Sequence, residues 1–276
     1  MDRAAFEGIE LEFDIRGSGE PVVLIHPGHF ADWFMPLAAE PVLADRYRLL
    51  TYHRVGCAGS SPAEGPISLA QQGAHCRLLL QYLGIERAHL VGHSSSGNIV
   101  LQLALDAPDV VRSLAVLEPA LYSAASARTP RVFVEKALQL YSVGDKAGAI
   151  DLFLQGLCGS GYREVLDRAL PGAFNQHVAD ADTFFRVELP AMRQWSFTRD
   201  DARRILQPVL AVVGAKSQEL SPIWNERQEL LLSWLPNVEP FVLPDATHLL
   251  QVQNPRGMAE GLVAFLARHP LSGVEK

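Results

Sequence analysis

The chain has 276 residues, 48% of them hydrophobic and 20% charged, with a formal charge of -7 and a pI near 5.7. These proportions exclude a disordered chain and suit one α/β core carrying an insertion. The acidic balance, without a dense run of Lys or Arg, argues against a nucleic acid or an anionic membrane as partner. The N-terminus lacks the apolar run of a secretory signal, and no uncharged apolar stretch of about 18 residues occurs. A soluble cytoplasmic protein is expected, with monomer and homodimer both left open. Cys57, Cys76 and Cys158 are an odd number at unrelated spacings, which fits neither a disulfide framework nor a zinc site. No metal or cofactor is expected.

Ile9 to Arg16 alternates apolar and polar residues, which predicts a strand with one wet face at a sheet edge. After the turn Gly17 to Pro21, Val22-Val23-Leu24-Ile25 is a continuous apolar run, the pattern of a parallel strand buried on both faces. It ends in His26-Pro27-Gly28-His29. A helix is expected over Trp33 to Ala44, a short strand over Tyr47 to Tyr52, and a loop from His53 to Pro62. Ser68 is placed to cap a helix running to Leu83. The strand Ala88 to Val91 then breaks off at Gly92-His93-Ser94-Ser95-Ser96-Gly97-Asn98, and a helix runs on to Asp106. Val111 to Leu117 is the next apolar strand, closing with Glu118-Pro119.

Strands alternating with helices of this length imply a mostly parallel sheet with helices on both faces. From Ala120 to about Trp195 the alternation stops and only helical patches follow. They cover Pro130 to Tyr141 with Thr129 as cap, Lys146 to Leu157, and Tyr162 to Ala169. Residues 1–119 and 197–276 are therefore read as a core domain and 120–196 as a helical cap. The alternation resumes with Thr198 capping Arg199 to Leu206, the strand Val209 to Val213, a helix over Pro222 to Trp234, the strand Val238 to Leu243, and a helix over Pro255 to Arg268. Pro244-Asp245-Ala246-Thr247-His248 links the last strand to that helix.

A serine on a strand-turn-helix corner stands clear of the backbone, with the amides of the next helix pointing at whatever it attacks. Ser94 is thus the candidate nucleophile. The Gly-x-Ser-x-Gly pattern is met at Gly92 and Ser94, while Ser96 stands at its last glycine and Gly97 follows. A serine hydroxyl is a weak nucleophile, so it needs a base, and the base needs a third group to fix its tautomer. His248, in a late loop, is the candidate base.

A loop after an early strand, a Gly-His-Ser elbow, a helical insertion and a late loop histidine together resemble the α/β-hydrolase fold superfamily over nearly the whole chain. The resemblance implies an eight-stranded, mostly parallel sheet with helices on both faces and a helical cap insertion. Tyr52 to Ser61 is similar to that superfamily's Asp-x-Arg-Gly-x-Gly-x-Ser segment, with His53 where an aspartate is common. Most relatives carry the acid of the triad just after the strand equivalent to Val209–Val213, where this chain has the neutral Ser217. Glu118 is the leading alternative, because it closes the strand after the nucleophile and a carboxylate there is costly to desolvate unless paired. Glu219 and Asp245 stand behind it. The resemblance further implies an oxyanion hole made by the Ser95 and Gly28 amides. His29, Phe30, Trp33 and Phe34 are expected in the wall of the substrate pocket, with Trp195 where the chain returns from the cap. His26, His53 and His93 read as loop-fixing hydrogen-bond formers.

Dehalogenases and epoxide hydrolases of this superfamily use an aspartate nucleophile, so Ser94 argues against both. The site pattern is most similar to the zearalenone-type lactonases, and implies a serine hydrolase cleaving an ester or lactone bond of a hydrophobic small molecule through an acyl-enzyme. The alternatives are a cofactor-free perhydrolase or peroxidase, a carbon-carbon bond hydrolase on the same triad, and a ligand-binding receptor on a hydrolase scaffold.

Overall fold

The apolar runs separate into two faces because successive strand side chains point to opposite sides. Val22, Leu24, Val91, Ala115, Leu210 and Val212 enter one buried cluster, and Val23, Ile25, Leu90, Leu114, Val209 and Ala211 enter another. The computed structural model of the protein describes residues 1–28, 30–122 and 132–271.

Eight strands form one sheet: β1 (Asp2–Phe6), β2 (Ile9–Arg16), β3 (Glu20–Ile25), β4 (Tyr47–Tyr52), β5 (Ala88–His93), β6 (Val111–Leu117), β7 (Val209–Gly214) and β8 (Val238–Leu243). Their order is β1-β2-β4-β3-β5-β6-β7-β8. The pairs β1 with β2 and β2 with β4 are antiparallel; every later pair is parallel. Strand β1 is unforeseen, and it displaces β2 from the sheet edge that its alternation predicts, since β2 pairs on both sides.

The helices are α1 (Met35–Ala38), α2 (Pro41–Ala44), α3 (Leu69–Tyr82), α4 (Ser95–Asp106), α5 (Val132–Ser142), α6 (Lys146–Cys158), α7 (Tyr162–Ala169), α8 (Ala173–Ala179), α9 (Ala181–Thr183), α10 (Leu189–Gln194), α11 (Arg199–Arg204), α12 (Ser217–Leu220), α13 (Ile223–Trp234) and α14 (Pro255–Leu266). A π-helical turn, Phe184–Glu188, joins α9 to α10. The single helix expected over Trp33 to Ala44 is two short ones. Glu40 lies extended at φ -71°, ψ 117° before Pro41, as a residue preceding proline prefers. Ser68 caps α3 as expected, in a reciprocal box with Gln71, and Thr198 does the same for α11 with Asp201. The cap expected at Thr129 and the helix start at Pro130 fall outside the described residues.

Helices α3, α4, α11 and α13 cover one face of the sheet through residues such as Leu79, Ile99, Ala202 and Leu231. The other face takes α1, α2 and α14, through Leu37, Leu43 and Leu262, and its cluster continues into the insertion through Ile150, Leu154, Phe184 and Met192. The insertion therefore shares an apolar core with the sheet. No helix among the described residues is long and apolar enough to cross a membrane.

Candidate active site

Ser94 sits between β5 and α4 at φ 54°, ψ -117°, a conformation that costs a non-glycine residue on the order of 1–3 kcal/mol. The tight corner explains its neighbours. A Cβ on Gly92 would lie 2.3 Å from the Ser96 carbonyl oxygen, and one on Gly97 2.8 Å from Pro119. Ser96 replaces the motif's last glycine without strain because its hydroxyl is used: it accepts the His93 N–H at 2.8 Å and donates to the Ile25 carbonyl at 2.5 Å.

A second strained position lies one strand away. Glu118, at φ 42°, follows β6 directly, and its N–H bonds the Val212 carbonyl at 3.0 Å. That backbone turn aims its carboxylate at the end of β7, where Oε1 accepts the Gly214 N–H at 2.8 Å. Oε2 lies 2.6 Å from His248 Nδ1, and His248 Nε2 lies 3.3 Å from Ser94 Oγ. Burial pushes the Glu118 carboxyl up to about 7, with the Ser217 hydroxyl and the Gly214 amide opposing only in part. The two other acid candidates stay away from His248. Glu219 and Asp245 are exposed, and Asp245 is paired with Lys216 at 2.9 Å.

Gly28 and Ser95 are brought together as well. Gly28 takes φ +45°, and its N–H donates to the Ser95 hydroxyl at 2.6 Å, so the amide expected at the oxyanion already has a partner inside the protein. His26 Nε2 accepts the Arg54 N–H at 3.0 Å, and His53 bridges Glu12 and Asp32 at 3.0 and 3.3 Å. His93 Nδ1 accepts the Trp33 indole N–H at 2.6 Å. Burial holds the His93 imidazole well below its ordinary value, so a neutral ring faces His248 at a centroid distance of 4.8 Å.

Beside Ser94 and His248 lies an apolar cavity of about 70 Å³. Phe30 and Trp33 wall it from the core, and Val134, Phe153, Phe184 and Met192 from the insertion. Two expected wall residues are elsewhere. Phe34 turns away from its neighbour Trp33 and is buried in the core under the cavity. Trp195 belongs to the opposite face: its indole N–H bonds Gln102 at 2.7 Å and its ring stacks on Phe197 at 5.5 Å. His29 lies outside the described residues. Among the described residues no cluster of His, Cys, Asp and Glu could hold a metal ion.

Sequence reasoning missed Trp224 and Arg227. Trp224, at the start of α13, stacks on His248 with ring centroids 4.0 Å apart and planes at 19°. Arg227, one turn on, holds its guanidinium 5.2 Å from the Trp224 ring and bonds the Leu121 carbonyl through Nε at 3.0 Å. An aromatic near the start of a predicted helix gives no signal that separates it from core. What could have marked it is its place just after the turn at Ser217.

Three comparisons with known proteins bear on this arrangement. A family profile described as alpha/beta hydrolase fold matches residues 21–142. The putative carbamate hydrolase RutD of Variovorax paradoxus is 30% identical over 276 residues, covering 96% of this chain and 98% of that protein. The dihydrolipoyllysine-residue acetyltransferase component of the acetoin cleaving system of Cupriavidus necator is 37% identical over 119 residues, 42% of this chain. The present chain spans only 31% of that component's length and 66% of its Pseudomonas putida counterpart. Among solved structures, a thermophilic esterase from Thermogutta terrifontis superposes with a TM-score of 0.81 at 21% identity, covering 98% of this chain and 100% of that one. At that identity the likeness is one of fold.

Proposed function

The chain belongs to the α/β-hydrolase family, and from that premise we propose that it hydrolyses an ester or lactone bond of a small hydrophobic molecule, with Ser94 as nucleophile, His248 as base and Glu118 as the acid. The observation that carries this reading is the continuous relay from Glu118 Oε2 to His248 Nδ1 at 2.6 Å and from His248 Nε2 to Ser94 Oγ at 3.3 Å. The second gap is within the looser range of sites without substrate.

In the proposed cycle His248 Nε2 takes the Ser94 proton as Oγ attacks the acyl carbon, while the ionised Glu118 fixes the tautomer and stabilises the imidazolium. The tetrahedral oxyanion is received by the Ser95 and Gly28 amides, the latter after the Ser95 hydroxyl has turned aside. His248 then returns the proton to the leaving alkoxide, and a water repeats the sequence to release the acid. The apolar lining supports a hydrophobic acyl or alcohol part. Residues 120–196 act as the cap over the core formed by 1–119 and 197–276. The same acyl chemistry extends to carbamates, the substrate class in the name of the Variovorax relative.

Hydrolysis of p-nitrophenyl acetate by wild type and Ser94→Ala tests the proposal. Wild type is expected to turn the ester over and Ser94→Ala to lose that activity by a factor of about 10⁶, as when a triad serine is removed. Equal rates in the two proteins overturn it.

A further inference from the structure

Arg54 and Glu188 are oppositely charged, 3% and 2% exposed, and joined through Nη1 and Oε1. Arg54 lies in the loop after β4, and Glu188 ends the π-helical turn of the insertion. Burying such a pair is seldom justified by stability, since apolar residues of the same volume often do as well. The network is also incompletely satisfied: Arg54 Nε and Glu188 Oε2 have no hydrogen-bond partner among the described residues. Its reason is better sought in what it connects.

The Arg54 guanidinium binds three elements at once. Nη1 donates to Gln72 Oε1 on α3 and to Glu188 Oε1, and Nη2 donates to the Gly28 carbonyl. The backbone N–H of the same residue bonds His26, so Arg54 grips both ends of His26-Pro27-Gly28. Gly28 is the residue of that loop with the widest choice of φ and ψ, and its N–H is the amide proposed to receive the oxyanion. The Gly28 N–H lies in the Pro27–Gly28 peptide plane and its carbonyl in the next. A grip on the carbonyl therefore acts on the amide through the φ and ψ of Gly28, which Arg54 constrains from both sides by also holding His26. Glu188, on the insertion, sets where the guanidinium sits.

Two other polar contacts tie the insertion to the loop after β4 that carries Arg54, without reaching Gly28. Asp180 accepts the Ala58 N–H at 3.1 Å, and the Thr183 hydroxyl donates to the Gly56 carbonyl at 2.5 Å. They fasten the seam, while the Glu188 contact passes through it.

We propose that Glu188 is a positioning residue: by holding Arg54 on the Gly28 carbonyl it sets the oxyanion amide, so the site is complete only while the insertion is docked. The proposal rests on the hydrolase reading given above. Its test compares the full-length Glu188→Gln, Arg54→Lys and Asp180→Asn/Thr183→Val proteins with wild type. The readouts are kcat and KM for p-nitrophenyl acetate and the inhibition constant of an aryl trifluoromethyl ketone, whose serine adduct carries an oxyanion. Arg54→Lys keeps the charge beside Glu188 but cannot span both acceptors, and so serves if Glu188→Gln folds poorly.

Glu188→Gln and Arg54→Lys are each expected to lose about 10²-fold in kcat, the effect of a displaced oxyanion donor, with KM changed less than about 3-fold. The ketone should weaken by the same factor as kcat/KM. The Asp180→Asn/Thr183→Val protein, loosened only at the seam, should keep kcat within about 3-fold. A Glu188→Gln protein with unchanged kcat and ketone affinity overturns the proposal, as does an equal loss in the seam variant. If instead Ser94→Ala is as active as wild type, the hydrolase reading has failed first.

Discussion

Exchanging Glu118 for Gln is the sharpest perturbation of the proposed relay, because the surroundings dictate how the new amide must sit. The Gly214 N–H, 2.8 Å from Oε1, accepts no exchange of oxygen for nitrogen there, so the glutamine oxygen stays on Gly214 and its NH2 faces His248 Nδ1. A donor facing Nδ1 forces the imidazole proton onto Nε2, toward Ser94 Oγ at 3.3 Å. The ring then cannot take the serine proton. The same tautomer error in a Ser-His-Asp protease lowers kcat by about 10⁴, equivalent to about 5 kcal/mol of transition-state stabilisation, and a loss of that order is expected here. Steady-state hydrolysis of p-nitrophenyl acetate measures it, with Glu219→Gln and Asp245→Asn as controls. Both controls alter exposed carboxylates and should stay within about 2-fold of wild type. A Glu118→Gln protein within tenfold of wild type, or a Glu219→Gln protein that loses activity, refutes the reasoning.

The buried Glu118 carboxyl, raised to about 7, places the acid limb of the kcat/KM profile near neutrality. A rate unchanged down to about pH 5 would contradict it. The same shift has a stability consequence of defined sign: a carboxyl raised from its ordinary value of 4.5 binds its proton more tightly when folded, so stability falls as pH rises through that window. Between about pH 5 and pH 8 the Tm of wild type should therefore fall more than that of Glu118→Gln, and parallel curves would count against a strained buried carboxylate. Ser95→Ala frees the Gly28 amide from an intramolecular bond worth about 0.5–1.5 kcal/mol, so kcat should rise about 2- to 10-fold; a tenfold loss would mean that the hydroxyl itself serves the oxyanion. Trp224→Leu removes the stack on His248 and should lower kcat about 3- to 30-fold, as expected for a cation–π contact of about 0.5–2 kcal/mol with the imidazolium, and an unchanged kcat would reduce Trp224 to pocket wall.

Much of this was legible in the sequence where local chemistry decides structure. The apolar runs at Val22–Ile25 and Val209–Val213 mark buried strands because a residue pattern uniform on both faces has few other uses. The elbow is legible because Gly92, Ser94 and Gly97 answer steric demands within one turn. Strand β1 is not, since Asp2–Phe6 carries no alternation and is held by its pairing with β2. Side-chain direction is lost in the same way: Trp33 and Phe34 are adjacent in sequence, yet one faces the cavity and the other the core. The return of the chain from the insertion points to Trp195 as a pocket residue, whereas its indole is fixed by Gln102 on the far face. Arg54 and Glu188 are 134 residues apart, and nothing in either neighbourhood announces a partner.

The neutral Ser217 looks in sequence like a missing part, and the fold gives it a different meaning. Strand β7 still serves the carboxylate that meets His248, but through the Gly214 amide rather than a side chain. Ser217 is fully buried at that turn, and a Cβ on Gly214 would come within 2.6 Å of its hydroxyl. The glycine is thus required for the close approach, and the small serine leaves room for an acid arriving from β6. The positive φ of Glu118 is the backbone counterpart of that change, since it turns a strand-end side chain sideways across one strand spacing. Sequence could show that the usual acid was absent and that another stood one strand away. Whether that carboxylate could reach His248 depended on two backbone conformations, at Glu118 and Gly214, which residue types alone do not specify.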